Sequence, residues 1–197
     1  MRGAGLLLFG CAMALADSAA ATETVLNLDN AKSHAEFQVR VMWLFSVDGH
    51  FGAVDGQVLM DAEARTARVT AEIDATKVEM KKDDYAEWVK SAEFFDVAKH
   101  PHIKFESEPF PIAALEQGGD ILGKLTVRGE TRPTNFKLQA STCTGRIAVT
   151  CPVIADAAIQ RSEFGMRTHR ATLGDKVKLH LTIFVQDLPA AGPPPKE

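Results

Sequence analysis

The segment Lys176-Val177-Lys178-Leu179-His180-Leu181-Thr182-Ile183-Phe184-Val185-Gln186 decides the fold class, because Val177, Leu179, Leu181, Ile183 and Val185 alternate with Lys176, Lys178, His180, Thr182 and Gln186. Neighbouring side chains of an extended strand point to opposite faces, so a period of two reads as one buried face and one wet face. The same period recurs upstream. Phe37, Val39, Val41 and Trp43 alternate with Glu36, Gln38, Arg40 and Met42, and Val69, Ala71 and Ile73 with Thr70, Glu72 and Asp74. It continues through Ile103 and Phe105, through Ile121, Gly123, Leu125 and Val127, and through Phe136 and Leu138.

Turn chemistry punctuates these runs at Asp48-Gly49, Asp55-Gly56, Gln117-Gly118-Gly119-Asp120, Arg128-Gly129-Glu130, Thr144-Gly145 and Leu173-Gly174-Asp175. Turns about 8–15 residues apart fit an all-β sandwich or barrel rather than βαβ units. One segment breaks the pattern. From Asp83 to about Phe95 the apolar residues Tyr85, Trp88, Val89 and Ala92 fall at helical spacing, with Asp83 or Asp84 placed to cap a short helix.

The ends of the chain are of a different kind. Arg2 leads into an apolar run from Leu6 to Leu15 and then into Ala19-Ala20-Ala21, the order of a secretory signal. Residues 1–21 are therefore expected to be cleaved, residues 22–188 to form one domain, and residues 189–197, rich in proline, to be a loose tail. Leu8-Phe9-Gly10-Cys11 loosely resembles a lipoprotein box, but it leaves an apolar stretch of only about five residues, against the usual ~7–15. The expected destination is a bacterial periplasm. No later stretch approaches the ~18 apolar residues of a membrane-spanning helix. The net charge of −4, with both signs interspersed, does not make a nucleic-acid surface.

Cleavage leaves two cysteines, Cys143 and Cys151. An even pair in an oxidising compartment reads as a disulfide, with free thiols as the alternative.

Four stretches in order resemble the YceI-like family of exported lipid-binding proteins. They are His34-Ala35-Glu36-Phe37-Gln38-Val39 with Gly49-His50-Phe51 and Asp55-Gly56; Ser91-Ala92-Glu93-Phe94-Phe95-Asp96-Val97 running on to His100-Pro101-His102-Ile103-Lys104-Phe105-Glu106-Ser107; Gly123-Lys124-Leu125-Thr126-Val127-Arg128-Gly129-Glu130-Thr131-Arg132-Pro133; and Ile159-Gln160-Arg161-Ser162-Glu163-Phe164-Gly165-Met166. The resemblance implies an eight-stranded, antiparallel, lipocalin-like barrel whose tunnel holds a long-chain isoprenoid, either a polyprenyl phosphate or an isoprenoid quinone. It brings no catalytic residues and no cofactor. The chain departs from the family at Met42-Trp43-Leu44-Phe45, where relatives often carry a more polar stretch, and around Cys143 to Cys151.

The lining of such a tunnel is expected from Phe37, Val39, Val41, Phe51, Ile73, Trp88, Phe94, Phe95, Phe105, Leu125, Phe136, Phe164, Leu181 and Ile183. A barrel of this size is just wide enough to be filled by its own side chains or to hold one ligand, and the sequence alone does not choose. A phosphate head group would call for a cation at the rim, with Arg161 and Arg132 as candidates. His100-Pro101-His102 lacks a carboxylate or cysteine at ligand spacing, and no metal is expected. Neither a Gly-x-Ser-x-Gly elbow nor a phosphate loop is present, and a carrier rather than an enzyme is expected. Two rival readings remain open: an exported enzyme using Glu36 or Asp74 beside a histidine, and a filled barrel serving a membrane electron-transfer partner. A homodimer is compatible with the sequence, though no exposed stripe identifies its interface.

Overall fold

The computed structural model describes residues 23–187, so the expected signal segment, Cys11 and the proline-rich tail lie outside the described residues. The strands are β1 (Glu23–Asn27), β2 (His34–Val41), β3 (Phe45–Phe51), β4 (Asp55–Asp61), β5 (Thr66–Asp74), β6 (Val78–Met80), β7 (His102–Ser107), the two-residue β8 (Phe110–Pro111), β9 (Gly119–Val127), β10 (Glu130–Leu138), β11 (Val153–Gln160) and β12 (Leu173–Ile183). Helix α1 (Asp83–Lys90) lies between β6 and β7, and the single turn α2 (Ala114–Gln117) between β8 and β9.

Three pairs of these segments are halves of one kinked strand. β1 pairs with β4 while β2 pairs with β3, and β4 pairs with β5 while β3 pairs with β6. With β1–β2, β3–β4 and β5–β6 each taken as one, eight antiparallel strands follow in chain order, each beside the next, through β7, β9, β10, β11 and β12. The last returns to the first. β12 pairs with β2 from Leu173↔Val41 to Thr182↔His34, and beyond it Val185 bridges to Leu28. This is the eight-stranded antiparallel barrel the sequence led us to expect.

Each kink changes the phase of the inward face. Leu26 and Leu28 give way to Ala35, Phe37 and Val39; Phe51 to Val54, Val58 and Met60; and Ile73 to Ala75, Val78 and Met80. A one-residue slip turns every later side chain to the other face. The buried kink residues Val54 and Ala75, both at 0% exposure, absorb that slip.

The kink between β1 and β2 lies against the closing strand, and there Ser33 replaces a missing ladder partner. Its hydroxyl donates to the Phe184 carbonyl (3.1 Å) and accepts from the Phe184 N–H (2.9 Å), while the Asp29 N–H donates to the same carbonyl (2.8 Å). Ser33 is fully buried.

Several local expectations are corrected. Asp48-Gly49 lies inside β3 rather than in a turn, and Leu173-Gly174-Asp175 opens β12 across a register shift. Trp43 is not in a half-buried strand: β2 ends at Val41, and Met42 and Trp43 form a two-residue turn with φ of 49° and 62°. Two positive values with a Leu44 N–H to Val41 C=O bond make a type I′ turn. That conformation costs a bulky L-residue about 1–2 kcal/mol. α1 stops at Lys90, and its N-cap is Lys82, whose side chain makes no capping bond. Asp83 and Asp84 sit in the first turn, where they oppose the positive end of the helix dipole.

Ser33→Ala orphans the half-buried Phe184 N–H, and the expected cost is about 1–3 kcal/mol of unfolding free energy with the fold retained. Urea denaturation of the variant beside the natural chain measures it.

Candidate functional site

The interior of the barrel is a cavity of about 430 Å³ whose walls are almost entirely apolar. Its size falls within the ~300–1,000 Å³ of small-molecule sites. The alternating residues of all eight strands meet here, so the site follows directly from the pleat.

Of the residues named from sequence, Phe37, Val39, Val41, Phe51, Ile73, Trp88, Phe94, Phe95, Phe105, Leu125, Phe136, Arg161, Leu181 and Ile183 line the cavity. Phe164 does not. It is 1% exposed and packs with Val39, Phe94, Val127 and Met166 behind the wall. The sequence reading missed Leu26, Val58 and Met60, which the kinks turn inward, and Ile147 and Val149 from the loop between β10 and β11.

Two aromatic rings lie flat against the wall because glycine makes room for them. Phe37 stands directly opposite Gly49 across the β2–β3 ladder, and a Cβ on Gly49 would fall 2.1–2.9 Å from three atoms of the Phe37 ring. Phe105 covers Gly123 in the same way, with ring atoms at 2.6 and 2.7 Å from the position of a Cβ. Rings seated over glycine stay out of the lumen. Around them Phe37 and Phe51 pack with Phe95, at centroid distances of 5.8 and 6.0 Å, and Phe105 packs edge-on against Phe136 at 4.9 Å.

The two ends differ. The near end carries the β2–β3 turn, α1 with residues 91–101, the β9–β10 turn and the connection from β11 to β12. Here Trp88 lies edge-on to Phe94 (4.7 Å) and His169 (5.1 Å), and its indole N–H donates to Glu93 (3.0 Å). His169 contacts the same carboxylate at 2.9 Å. The hydrogen bonds to His169 and Trp88 hold the Glu93 carboxyl below the usual carboxylate range. Arg128 ties these loops together by donating to the Gly165 carbonyl (2.6 Å) and the Ala92 carbonyl (2.8 Å).

Arg161, 2% exposed, donates to the carbonyls of Gly174 (3.0 Å), Met166 (2.7 Å) and Leu173 (3.0 Å). Burial pulls its pKa down from the ordinary guanidinium value, with Asp175 opposing. At the far end the loop 139–152 closes over the bore. The Cys143–Cys151 disulfide constrains it, the Val185 N–H donates to the Ala148 carbonyl (2.7 Å), and Arg146 makes a two-pronged ion pair with Asp187.

Besides Glu93–His169 at the near-end mouth, three carboxylate–histidine pairs lie on the outer surface. Glu36 faces His50 at 3.9 Å, Glu72 faces His102 at 2.9 Å, and Asp156 faces His180 at 2.7 Å. Asp74 accepts from the Thr76 N–H and pairs with Lys77. Arg132 is half-buried and bonds Glu130 at 3.0 Å. His100 packs over Gly129 while His102 turns outward to Glu72, so the two do not converge. No group of three metal-ligating side chains occurs among the described residues, and no helix there is long and apolar enough to cross a membrane.

A closed up-and-down barrel of eight strands around one apolar bore places this chain among the small antiparallel barrels with an open interior. The chain belongs to the YceI-like family, whose domain model matches residues 26–185. A UPF0312 protein of Pseudomonas aeruginosa is 27% identical over 135 residues, which cover 66% of this chain and 68% of that one. A UPF0312 protein of Pseudomonas putida is 25% identical over 132 residues, with the same coverage. Among solved structures, BcnA of Burkholderia cenocepacia superposes with a TM-score of 0.66 at 20% identity, over 79% of this chain and 98% of that one. A polyisoprenoid binding domain from Saccharophagus degradans gives 0.59 at 14% identity, over 83% and 98%. At such identities the likeness is one of fold.

Gly49→Ala drives the Phe37 ring off its seat and into the bore. We expect a folded protein about 1–3 kcal/mol less stable with a smaller cavity and reduced ligand uptake, measured by thermal unfolding together with titration of an apolar fluorescent probe.

Proposed function

We propose that the chain is an exported carrier or reservoir that holds one long-chain isoprenoid in the barrel bore and performs no chemistry on it. The observation that carries this reading is the continuous apolar wall from Val41 and Trp88 at the near end to Leu26 and Val149 at the far end. Each methylene-sized unit buried against such a wall contributes roughly 0.8 kcal/mol. Branched isoprene units match a lining of Phe, Val, Leu and Ile. That the Saccharophagus degradans neighbour is a polyisoprenoid binding domain supports the same class of ligand.

The polar groups within the bore favour a neutral head there, as in a quinone, and a phosphate could be met only outside it, by exposed cations of the near end such as Arg40 and Arg170. The charged residues bordering the bore are Glu36, Lys104 and Arg161, and the Glu36 carboxylate turns outward to His50. Lys104 is paired with Glu72 at 3.1 Å, and Arg161 is held by three carbonyls. A phosphate entering the bore would need a cation free to meet it. The outward placement of the Glu36–His50, Glu72–His102 and Asp156–His180 pairs supports binding rather than catalysis, with the Glu93 carboxylate of the fourth pair taken up by the Trp88 indole and His169, and the sequence of residues 1–21 supports export to a periplasm.

Mass spectrometry of the organic extract of protein purified from its native host tests the proposal. The expected result is a near-stoichiometric lipid with isoprene repeats and a neutral head, and an intact protein mass matching a chain that begins at Thr22. An empty extract, together with no uptake of added prenyl quinones or prenyl phosphates, overturns it.

A further inference from the structure

The β2–β3 turn is an exposed apolar feature that neither folding nor the bore explains. Met42, Trp43, Leu44 and Phe45 are 57, 78, 80 and 66% exposed. Single exposed apolar residues are ordinary, but four in a row on one hairpin tip are not. Their backbone makes the case sharper, since a type I′ turn is ordinarily filled by Asn-Gly and here holds Met and Trp at positive φ. The companion turn at the same end, Arg128-Gly129 with φ of 54° and 75°, meets the same demand with a polar residue and a glycine. None of the four tip residues lines the bore.

Their surroundings indicate what they meet. Val41 and Val47, on the same hairpin, do line the bore, as do Tyr85 and Trp88, which are 39 and 40% exposed. Apolar surface therefore runs unbroken from the tip into the mouth. Tyrosine and tryptophan are the residues that settle at a membrane–water boundary. Arg40, Lys81, Lys82 and Arg170 stand exposed on the elements of this end and enter no ion pair among the described residues, and Asp83 and Asp84 at the start of α1 are exposed and unpaired beside them.

We propose that this tip seats in the headgroup–acyl boundary of a lipid bilayer and sets the mouth of the bore against the membrane. A second copy of the chain fits the observations less well. A stable protein interface needs about 800 Å² from each partner, more than a four-residue tip presents. Phospholipid headgroups, by contrast, attract the exposed cations of this end. The chain's net charge is −4, so the docking is carried by apolar insertion and depends weakly on salt.

The test is flotation of the full mature protein with vesicles of phosphatidylethanolamine and phosphatidylglycerol, read together with tryptophan fluorescence. The chain has two tryptophans, so Trp43→Phe isolates the tip signal. Expected are co-flotation, quenching by brominated lipid that falls in Trp43→Phe to the part contributed by Trp88, and a loss of vesicle partition of about tenfold or more in Leu44→Ser with Phe45→Ser. Met42→Asn with Trp43→Gly should abolish partition while leaving Tm unchanged or higher, because it gives the turn its favoured residues. Absence of flotation, flotation unaltered by the tip variants, or a concentration-dependent dimer that shields Trp43 in place of vesicle binding overturns the proposal. The lipid extract reads separately: an empty barrel that floats upholds the docking tip and defeats the carrier, and a loaded barrel that stays in solution does the reverse.

Discussion

Everything in this molecule depends on the seam where the last strand meets the first. The ladder between β12 and β2 is interrupted at residues 28–33, and it resumes only at the Leu28–Val185 bridge. Left open, that gap would expose an unpaired sheet edge and let water into the interior. The buried Ser33 hydroxyl fills it by serving both polar groups of Phe184. A hydrogen bond that is worth only about 1 kcal/mol when made costs more when its buried partner is orphaned. Closure is what lets residues distant in sequence, such as Leu28, Phe51 and Val185, share one cluster.

A closed eight-stranded barrel is close to the size at which side chains alone can fill it. This chain keeps its lumen through small residues placed opposite large ones. Gly49 and Gly123 let the Phe37 and Phe105 rings lie along the wall, where they contribute apolar area without occupying the axis. The cost of each glycine is entropic, on the order of 0.5–1 kcal/mol in a strand. Two of the motifs that carry the family resemblance, Gly49-x-Phe51 and Gly123-x-Leu125-Thr126, thus acquire a physical reason: each supplies a seat for a ring on the neighbouring strand. Arg161 serves the scaffold in a comparable way. Its three bonds to carbonyls fix the connection from β11 to β12, so its charge is satisfied by backbone oxygens rather than held ready for a ligand.

The legible part of the sequence is the part where one phase persists. β5, β7, β9 and β12 keep their inward residues on odd numbers throughout, and alternation alone finds those strands. β1 and β4 escape it because their inward residues change phase at the kinks, and a period of two cannot be followed across such a break. β11 escapes because Ile154 and Ala158 are apolar on the outward face, which erases the alternation. Asp48-Gly49 has the chemistry of a turn, yet its glycine answers to a ring across the ladder, a demand no local rule detects. For the site, the alternating aromatic and aliphatic residues reach the bore as expected. Phe164 does not, because it lies in the short 3₁₀ turn Arg161–Phe164, where strand parity does not apply.

The two ends of the bore are built for different tolerances. At the far end a covalent bridge, the Arg146–Asp187 pair and a backbone bond from Val185 hold the loop over the opening. The near end is held by contacts that can be remade: the edge-on packing of Trp88 on Phe94 and His169, the shared Glu93 carboxylate, and the two carbonyl bonds of Arg128. Loops held by a few polar bonds open at lower free energy than a packed core or a cross-linked loop. For the carrier proposed above, passage of an apolar chain into or out of the bore would be easiest past α1. Met42 and Trp43, which among the described residues are the only two consecutive non-glycine residues held at positive φ, stand at that same end. Strain and exposed apolar surface that folding does not require tend to collect where a protein meets its partner, and here both collect at the end that opens.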